Sequence, residues 1–235
     1  MSTVDVQLLR AFKKQVLRPY RLLFNALNAS LSELTATLVK GKTTTSTLSN
    51  LVLRSFCLAD WTATLGMDGA ALRLLSRRLD SRIHAHEAEL VGLLENLRRI
   101  VLELHAALDA FREGAWNDGQ RFDDRQRELL SDIVMCERGS LTYRQVCHAV
   151  EATVRMCERE VEEVKALVVR DFVDACGRYR DSSDGRGHVQ LMEEAYWELR
   201  VTAWVTELYL ERDEVERNMA MMAADAGLPY FTSGE

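Results

Sequence analysis

The histidines and glutamates of the stretch IHAHEAE, Ile83 to Glu89, are the first candidates for chemistry. Imidazole and carboxylate groups are common zinc ligands. Two ligands on one helix must lie three or four residues apart to face the same ion, whereas His84 and His86 lie two apart and diverge. The spacing therefore favours a packed, hydrogen-bonded His86 in a helix seam, and we expect neither a metal ion nor another cofactor.

The stretch KGKTTTS, Lys40 to Ser46, contains the Gly-Lys-Thr of a phosphate-binding loop. A complete loop of this kind needs another glycine five residues before Gly41, where this chain has Ala36. It also follows a strand and opens a helix, so that backbone donors cradle the phosphate. Here a helical pattern precedes the motif, so nucleotide binding is not expected.

Cys147 next to His148 could supply a nucleophile and its base. Neighbouring positions on a helix diverge, however, and no third orienting group is identifiable. The five cysteines form no close pairs, and several occupy apolar helical positions, which is typical of reduced thiols in a core. The sequence thus predicts no catalytic residue, and we expect a protein that is not an enzyme.

The charge of the chain is unevenly distributed. The 235 residues carry a net charge of −6, but residues 1–60 hold eight Lys or Arg against three Asp or Glu, whereas residues 123–235 hold fourteen against twenty-four. Phosphate contacts need clustered cations, so the acidic half argues against nucleic acid as a direct partner. No uncharged apolar run approaches the roughly 18 residues that span a bilayer, so a membrane protein is not expected.

Helical periodicity dominates the elements that would position any site. Apolar residues recur at steps of three and four over residues 72–111 and again over 146–179, which is typical of two long helices packed side by side. The second helix carries Glu158, Glu162 and Lys165 on what its spacing predicts to be a solvated outer side.

Shorter elements flank these two helices. We expect a first helix over Val4 to Lys40 that is kinked at Pro19 and ends at Gly41, then a loop over residues 41–50 and a second helix to about Leu65. A short helix is expected from Asp123 to Glu137. The sequence therefore predicts an all-α protein, an elongated antiparallel helical bundle with two long coiled-coil-like helices. Residues 1–226 would form a single domain and residues 227–235 a C-terminal tail.

The stretch AYWELRVTAWVTELYLERDEVE, Ala195 to Glu216, is expected to lie in one helix that runs to about Ala226. On a wheel of about 100° per residue it has two apolar stripes on nearly opposite faces. Surplus aromatic and aliphatic surface is typical of protein interfaces. The predicted core stripe is Trp197, Val201, Trp204 and Leu208. The predicted partner interface is Tyr196, Leu199, Ala203 and Leu210, together with Tyr230 and Phe231 of the tail.

Three segments follow an order seen in a known family. In AFKKQVLRPYRLLFNALNASLSELTATL (residues 11–38) a lysine pair and a proline precede a leucine-rich helix. LRLLSRRLDSRIHAHEAELVGLLENLRRIVLELHAAL (72–108) is one long helix with early basic residues and an unbroken leucine seam. The third runs from CEREVEEVKALVVRDFV (157–173) to the tryptophan-bearing EEAYWELRVTAWVTELYLERDE (193–214). This order resembles the AIRIM family of ribosome maturation factors, from which residues 123–138 and the tail after Asn218 depart.

The resemblance implies a non-catalytic adaptor that joins AAA ATPases and other helical subunits. The complex would act on late cytoplasmic precursors of the large ribosomal subunit, where ATP hydrolysis elsewhere in the complex strips a placeholder factor. It implies a location in the cytoplasm or nucleus. Two alternatives stay open. One is a structural subunit of another helical assembly (a kinetochore, tethering or mitochondrial ribosome-assembly complex), and the basic N-terminus favours the version in the mitochondrial matrix. The other is an enzyme whose site is assembled from distant residues.

Overall fold

A computed structural model describes residues 6–65, 69–117, 122–136, 139–181 and 194–229. These residues form α-helices and one π-helical turn, together with a single isolated antiparallel bridge between Val134 and Thr142. The α-helices are α1 (Val6–Leu65), α2 (Ala70–Asn117), α3 (Asp124–Ser131), α4 (Tyr143–Arg159), α5 (Ala166–Asp181), α6 (Glu194–Val205) and α7 (Arg212–Ala226), and the π-turn is Glu160–Lys165. The predicted all-α bundle with two long helices is confirmed.

Helix α1 is one continuous helix, so the loop expected over residues 41–50 is wrong. Within the helix the threonine hydroxyls donate to backbone carbonyls one turn earlier, Thr44 to Lys40 at 3.1 Å and Thr45 to Gly41 at 2.9 Å, which satisfies these hydroxyls without breaking the helix. Pro19 lies inside the same helix. The composition of residues 41–50 favours a loop. Tertiary packing at Gly41, described below, overrides this local preference.

The predicted long helices correspond to α2 and to the continuous helical stretch from α4 through the π-turn into α5. The short helix α3 is also present, and it starts with a capping box in which Asp123 and Gln126 each bond the other's backbone N–H. It ends at Ser131 rather than at the expected residue 137, because the chain then turns into the bridge at Val134.

The structure divides into two compact units. Unit 1 comprises Met1–Glu33, Arg99–Glu158 and Tyr209–Glu235, and unit 2 comprises Leu34–Arg98 and Arg159–Leu208. Helix α1 contributes to both units, as does α2. The expected single domain stays a prediction.

An aromatic cluster forms much of the core of unit 1. The ring of Trp116 stacks on Phe12 at 5.2 Å between centroids and meets Tyr143 edge-on at 4.9 Å. Phe111 lies 5.2 Å from Tyr143 and 6.2 Å from Tyr20. Such offset and edge-on arrangements are the favoured ones for aromatic pairs. The cluster joins residues of α1, α2 and α4.

The core of unit 2 combines aliphatic residues of the long helices with two tryptophans of α6. Its large buried side chains include Leu38, Leu48, Leu90, Leu97, Val161, Phe172, Trp197 and Trp204. The ring of Phe172 lies 5.3 Å from that of Trp197. The two indoles give α6 a large apolar surface that is buried in this core.

The expected single helix from Ala195 to Ala226 is interrupted. Helix α6 ends at Val205, and α7 begins at Arg212. The intervening segment is not helical, so the wheel that predicted its faces does not apply. Leu208, predicted to be core, is 63 % exposed, whereas Leu210, predicted to be exposed, is buried. Helix α7 ends at Ala226 and is capped by Gly227, which agrees with the predicted end at about Ala226.

Between Val6 and Leu58, α1 is long and apolar enough to cross a membrane by length and composition alone. The sequence contains no uncharged run of that length, but α1 contains an 18-residue stretch with at most two charged residues and a mean hydropathy of 1.2. Leu23, Phe24, Leu38 and Leu48 of this helix are buried. In the stretch that meets this criterion 39 % of the residues are buried, so burial accounts for part of the apolar composition of α1.

Candidate functional site: the seat and exposed face of α6

Trp204 anchors α6 in unit 2. The side chain is 1 % exposed, and its indole N–H donates to the backbone carbonyl of Leu38 at 3.0 Å. The ring lies directly against Gly41 of α1, where an added Cβ would overlap the indole. Gly41 is therefore needed for the close approach of the ring and not to end a helix.

A buried ion pair holds the C-terminal end of α6. The ammonium of Lys165 lies 2.6 Å from a carboxylate oxygen of Glu160, and both side chains are almost fully buried. Lys165 also donates to the backbone carbonyls of Thr206 at 3.1 Å and Ala203 at 3.4 Å. A cation there meets the negative end of the helix dipole. The same ammonium lies 5.9 Å from the centre of the Trp204 ring.

The π-turn makes this ion pair possible. Positions five apart on an α-helix point about 140° away from each other. In a π-turn the backbone bonds run from residue i to i+5, which brings Glu160 and Lys165 towards the same side. On the exposed side of the turn, Arg98 donates to Glu162 through two bonds of 2.7 and 2.8 Å. The guanidinium lowers the pKa of the Glu162 carboxyl.

Lys165 corrects the sequence prediction for this helix. Glu158 and Glu162 are exposed, as the spacing predicted, but Lys165 is 0 % exposed. Helical spacing could not reveal this, because the acceptor carbonyls of Ala203 and Thr206 lie some 40 residues away in the chain. The one local signal is the Glu160–Lys165 spacing of five, which fits a π-turn and not an α-helical ion pair.

The predicted core stripe of α6 is confirmed for its tryptophans and is wrong for its last member. Trp197 and Trp204 are each 1 % exposed, Val201 is half-buried, and Leu208 is exposed.

The predicted partner stripe is only partly on the surface. Leu199 is 60 % exposed, whereas Tyr196 and Ala203 are half-buried and Leu210 is buried. The guanidinium of Arg200 covers the Tyr196 ring at 4.0 Å. Tyr230 and Phe231 lie outside the described residues. Partner binding by these residues stays a prediction.

A cleft lies between α1 and α6 in unit 2, with a volume of about 400 Å³. The sequence does not predict this cleft, since most of its α1 wall belongs to the stretch expected to form a loop. Its lining residues are Ser46, Ser49, Asn50 and Leu53 from α1 and Trp197, Glu198, Val201 and Thr202 from α6. Hydroxyl and amide groups line one wall, and the other carries a single carboxylate.

In unit 1, a buried carboxylate connects α7 to the segment before α4. The Asp225 carboxylate accepts hydrogen bonds from the backbone N–H groups of Ser140 and of Leu141, the latter at 3.2 Å. It lies so close to Gly139 that an added Cβ would overlap it. The Tyr20 hydroxyl donates to the Met222 carbonyl at 3.2 Å. These bonds fix the last turns of α7.

Burial raises the pKa of two groups close to Asp225, the Cys136 thiol and the Tyr20 hydroxyl. Burial, then the negative charge of Asp225 and a hydrogen bond to it, raise the pKa of the Cys136 thiol to about 11. Burial and the same charge raise the pKa of Tyr20 far above its ordinary value. Cys136 is therefore protonated and unreactive at neutral pH.

The residues that first suggested chemistry do not come together. His84 pairs with Glu87 at 3.3 Å and His86 with Glu89 at 3.1 Å, each on its own turn of α2. No group of three His, Cys, Asp or Glu side chains in the described part of the chain is placed to hold a metal ion. The Gly-Lys-Thr sequence lies inside α1.

Comparisons with protein-family models, curated proteins and solved structures found no match.

Proposed function

We propose that the chain is a non-enzymatic adaptor subunit whose partner surface includes the exposed face of α6 and the segment after it. The observation that supports this proposal is the exposure of three aliphatic side chains beside a firmly anchored helix. Leu199 is 60 % exposed, Val205 43 % and Leu208 63 %. Apolar side chains on a surface mark a protein interaction site when they form one patch, and the variants below test whether these do.

The anchoring of α6 makes this surface suitable for recognition. Trp197 and Trp204 fill the core on one side of the helix, and Lys165 binds the carbonyls at its end. The outer side is thereby presented in a fixed orientation. A surface that is already ordered loses little conformational entropy when a partner binds.

The resemblance to the AIRIM family supports a finer proposal. In it, the partner is a AAA ATPase complex that acts on late cytoplasmic precursors of the large ribosomal subunit. The chain itself would position the ATPase on its substrate. The second candidate is a structural subunit of another helical assembly, and the basic N-terminal stretch of residues 1–20 favours its mitochondrial version.

Affinity purification of the tagged full-length protein from its own cells, followed by mass spectrometry, tests both proposals. A Leu199→Asp/Leu208→Asp variant places two charges on the proposed surface. A Leu102→Asp variant is the matched control, since Leu102 is 68 % exposed but lies on α2 in unit 1. Circular dichroism checks that each variant is folded.

We expect the unmodified protein and the Leu102 variant to recover a AAA ATPase with large-subunit precursors, and the double variant to lose them. Recovery of a different helical assembly would replace the ribosomal proposal with the structural one. An intact Met1 on the purified protein would contradict import into mitochondria, where a leader is removed. A folded protein that recovers nothing would contradict the adaptor proposal as a whole.

A further inference from the structure

The cleft in unit 2 is built from two helix faces of matched spacing. Ser46, Ser49, Asn50 and Leu53 lie at positions i, i+3, i+4 and i+7 of α1 and therefore share one face. The opposite wall is the part of α6 that contains Trp197 and Glu198. Both walls belong to regular helices, so the cleft has a fixed form.

Ser49 is the first sign that the cleft takes a ligand. Its side chain lines the cleft and is only 6 % exposed, and its buried hydroxyl oxygen has no hydrogen-bond partner among the described residues. A buried hydroxyl without a partner is unfavourable. A polar group that enters the cleft and bonds Ser49 would remove that penalty.

The charge of the lining determines which kind of group fits. Glu198 is the only charged residue among the described residues that line the cleft, and no described cation forms an ion pair with it. A second acceptor is the amide oxygen of Asn50, since its amide nitrogen already donates to the Ser46 carbonyl at 2.9 Å. An anion would be repelled here, whereas a cation with several donors would be bound.

The apolar residues of the lining indicate that the bound cation is an arginine side chain. The aliphatic stem of an arginine side chain can pack on Leu53 and Val201, which lie on opposite walls. Its planar guanidinium carries five donors, which match the carboxylate of Glu198 and the hydroxyls of Ser49 and Thr202. Arginine is also enriched among the residues that dominate binding at protein interfaces.

We propose that this cleft is a docking pocket for an arginine side chain of the protein partner. The inference rests on the proposed adaptor function and specifies the chemistry of its partner. Leu199 is exposed and lies three residues before Thr202, which lines the cleft; positions three apart are neighbours on a helix surface, so a partner that covers Leu199 also reaches the edge of the cleft.

A small probe tests the pocket without any partner. N-acetyl-L-argininamide is titrated into the ¹⁵N-labelled full-length protein, with N-acetyl-L-citrullinamide as the neutral analogue of nearly the same shape. We expect saturable shifts of the Ser49 and Asn50 amides and of the Trp197 indole with the arginine probe. The citrulline probe should bind at least about threefold more weakly, because it lacks the charge that Glu198 attracts.

Two variants make the test specific. Glu198→Gln should raise the dissociation constant of the arginine probe at least about threefold, since the carboxylate is lost and the shape is kept. Glu163→Gln is the control, because Glu163 is exposed in the same unit, bonds Arg159 and does not line the cleft. Shifts that stay linear, that are equal for both probes, or that Glu198→Gln leaves unchanged would overturn the arginine pocket.

The probe and the affinity purification fail independently. Saturable binding of the arginine probe, with no protein recovered from cells, would contradict the adaptor function and leave a pocket that binds cations. Recovery of a partner by the protein and by its Glu198→Gln variant alike, with no probe binding, would contradict the pocket alone.

Discussion

In each of units 1 and 2 a buried charged side chain binds backbone groups and thereby fixes one helix. The charges of the two side chains are opposite. In unit 1 the Asp225 carboxylate of α7 accepts from the N–H groups of Ser140 and Leu141. In unit 2 the Lys165 ammonium donates to the carbonyls of Ala203 and Thr206 at the end of α6. Each charge therefore binds backbone groups of the opposite partial charge.

The two arrangements differ in what balances the buried charge. Lys165 has a buried counter-ion in Glu160, whereas no described cation forms an ion pair with Asp225. Removing one member of a buried ion pair leaves the other as an uncompensated charge, which costs far more than losing bonds to neutral donors. Unit 2 should therefore be the more sensitive to loss of its charge.

The largest effect is expected for Lys165→Met, which leaves Glu160 buried without its counter-ion. The free energy of unfolding should fall by about 3–5 kcal/mol. Adding Glu160→Leu should recover most of the loss, because an apolar pair of similar volume needs no compensation. Urea unfolding followed by circular dichroism measures both. Lys40→Met is the control: its ion pair with Glu89 is on the surface and should contribute less than about 1 kcal/mol. Equal losses of stability at the two lysines would contradict the claim that Lys165 compensates a buried charge.

Asp225→Ala should have a smaller effect, a loss of about 1–3 kcal/mol, because it leaves two backbone donors without their acceptor. The matched control is Asp213→Ala, whose side chain is exposed in the first turn of α7. It should cost at most about 1 kcal/mol, through the helix dipole. A loss at Asp225 as large as that at Lys165 would remove the distinction between the two units.

Alanine substitutions at two glycines distinguish the effect of close packing on stability from that of helix propensity. Alanine is favoured over glycine by about 1 kcal/mol inside a helix. Gly92→Ala on α2 should gain roughly that amount, since nothing lies within 4 Å of the added Cβ. At Gly41 the same change forces the buried Trp204 ring aside, and overpacking costs about 1–3 kcal/mol. Thermal unfolding should therefore show a net loss of up to about 2 kcal/mol for Gly41→Ala. A gain at both sites would mean that the ring moves freely.

Alkaline pH should weaken unit 1. Burial raises the pKa of four groups of that unit, Tyr20, Cys136, Tyr143 and Cys147. Their contribution is complete below the unfolded pKa and is lost as the pH rises towards the folded one. For Cys136 this window runs from 9.0 to about 11, and the loss at pH 10 is about 1 kcal/mol.

Limited proteolysis with subtilisin at pH 8 and pH 10, mapped by mass spectrometry, measures this difference between the units. New cleavage sites at the higher pH should fall in α3, α4 and α7. New sites confined to α6 and the π-turn would contradict the assignment.

Much of the fold could be predicted because apolar spacing is a local signal. The leucines of α2 and the valines of α4 and α5 recur at helical steps, and those helices are present. The threonine-rich part of α1 was mistaken for a loop because its hydroxyls also favour turns. Its first residue, Gly41, packs against Trp204, which lies more than 160 residues away in the chain, so no local signal could show this contact.

The candidate site was less predictable because its contacts also join residues that lie far apart in the chain. The tryptophans of α6 could be placed in the core from spacing alone. The end of the helix at Val205 has no proline or glycine to signal it, so Leu208 and Leu210 were assigned to the wrong environments. Lys165 looked solvated because a lysine at helical spacing usually is, and its acceptors come from a different helix.

Hydrogen exchange with mass spectrometry on Lys165→Met and Asp225→Ala, each compared with the unmodified protein, tests most directly whether each buried charge holds its own helix. In the first variant, amides of α6 should lose protection while those of α7 keep it. In the second, α7 and the segment from Gly139 to Leu141 should lose protection while α6 keeps it. Equal loss across both units in both variants would contradict the account, because the charges would then stabilise the whole chain and not a particular helix.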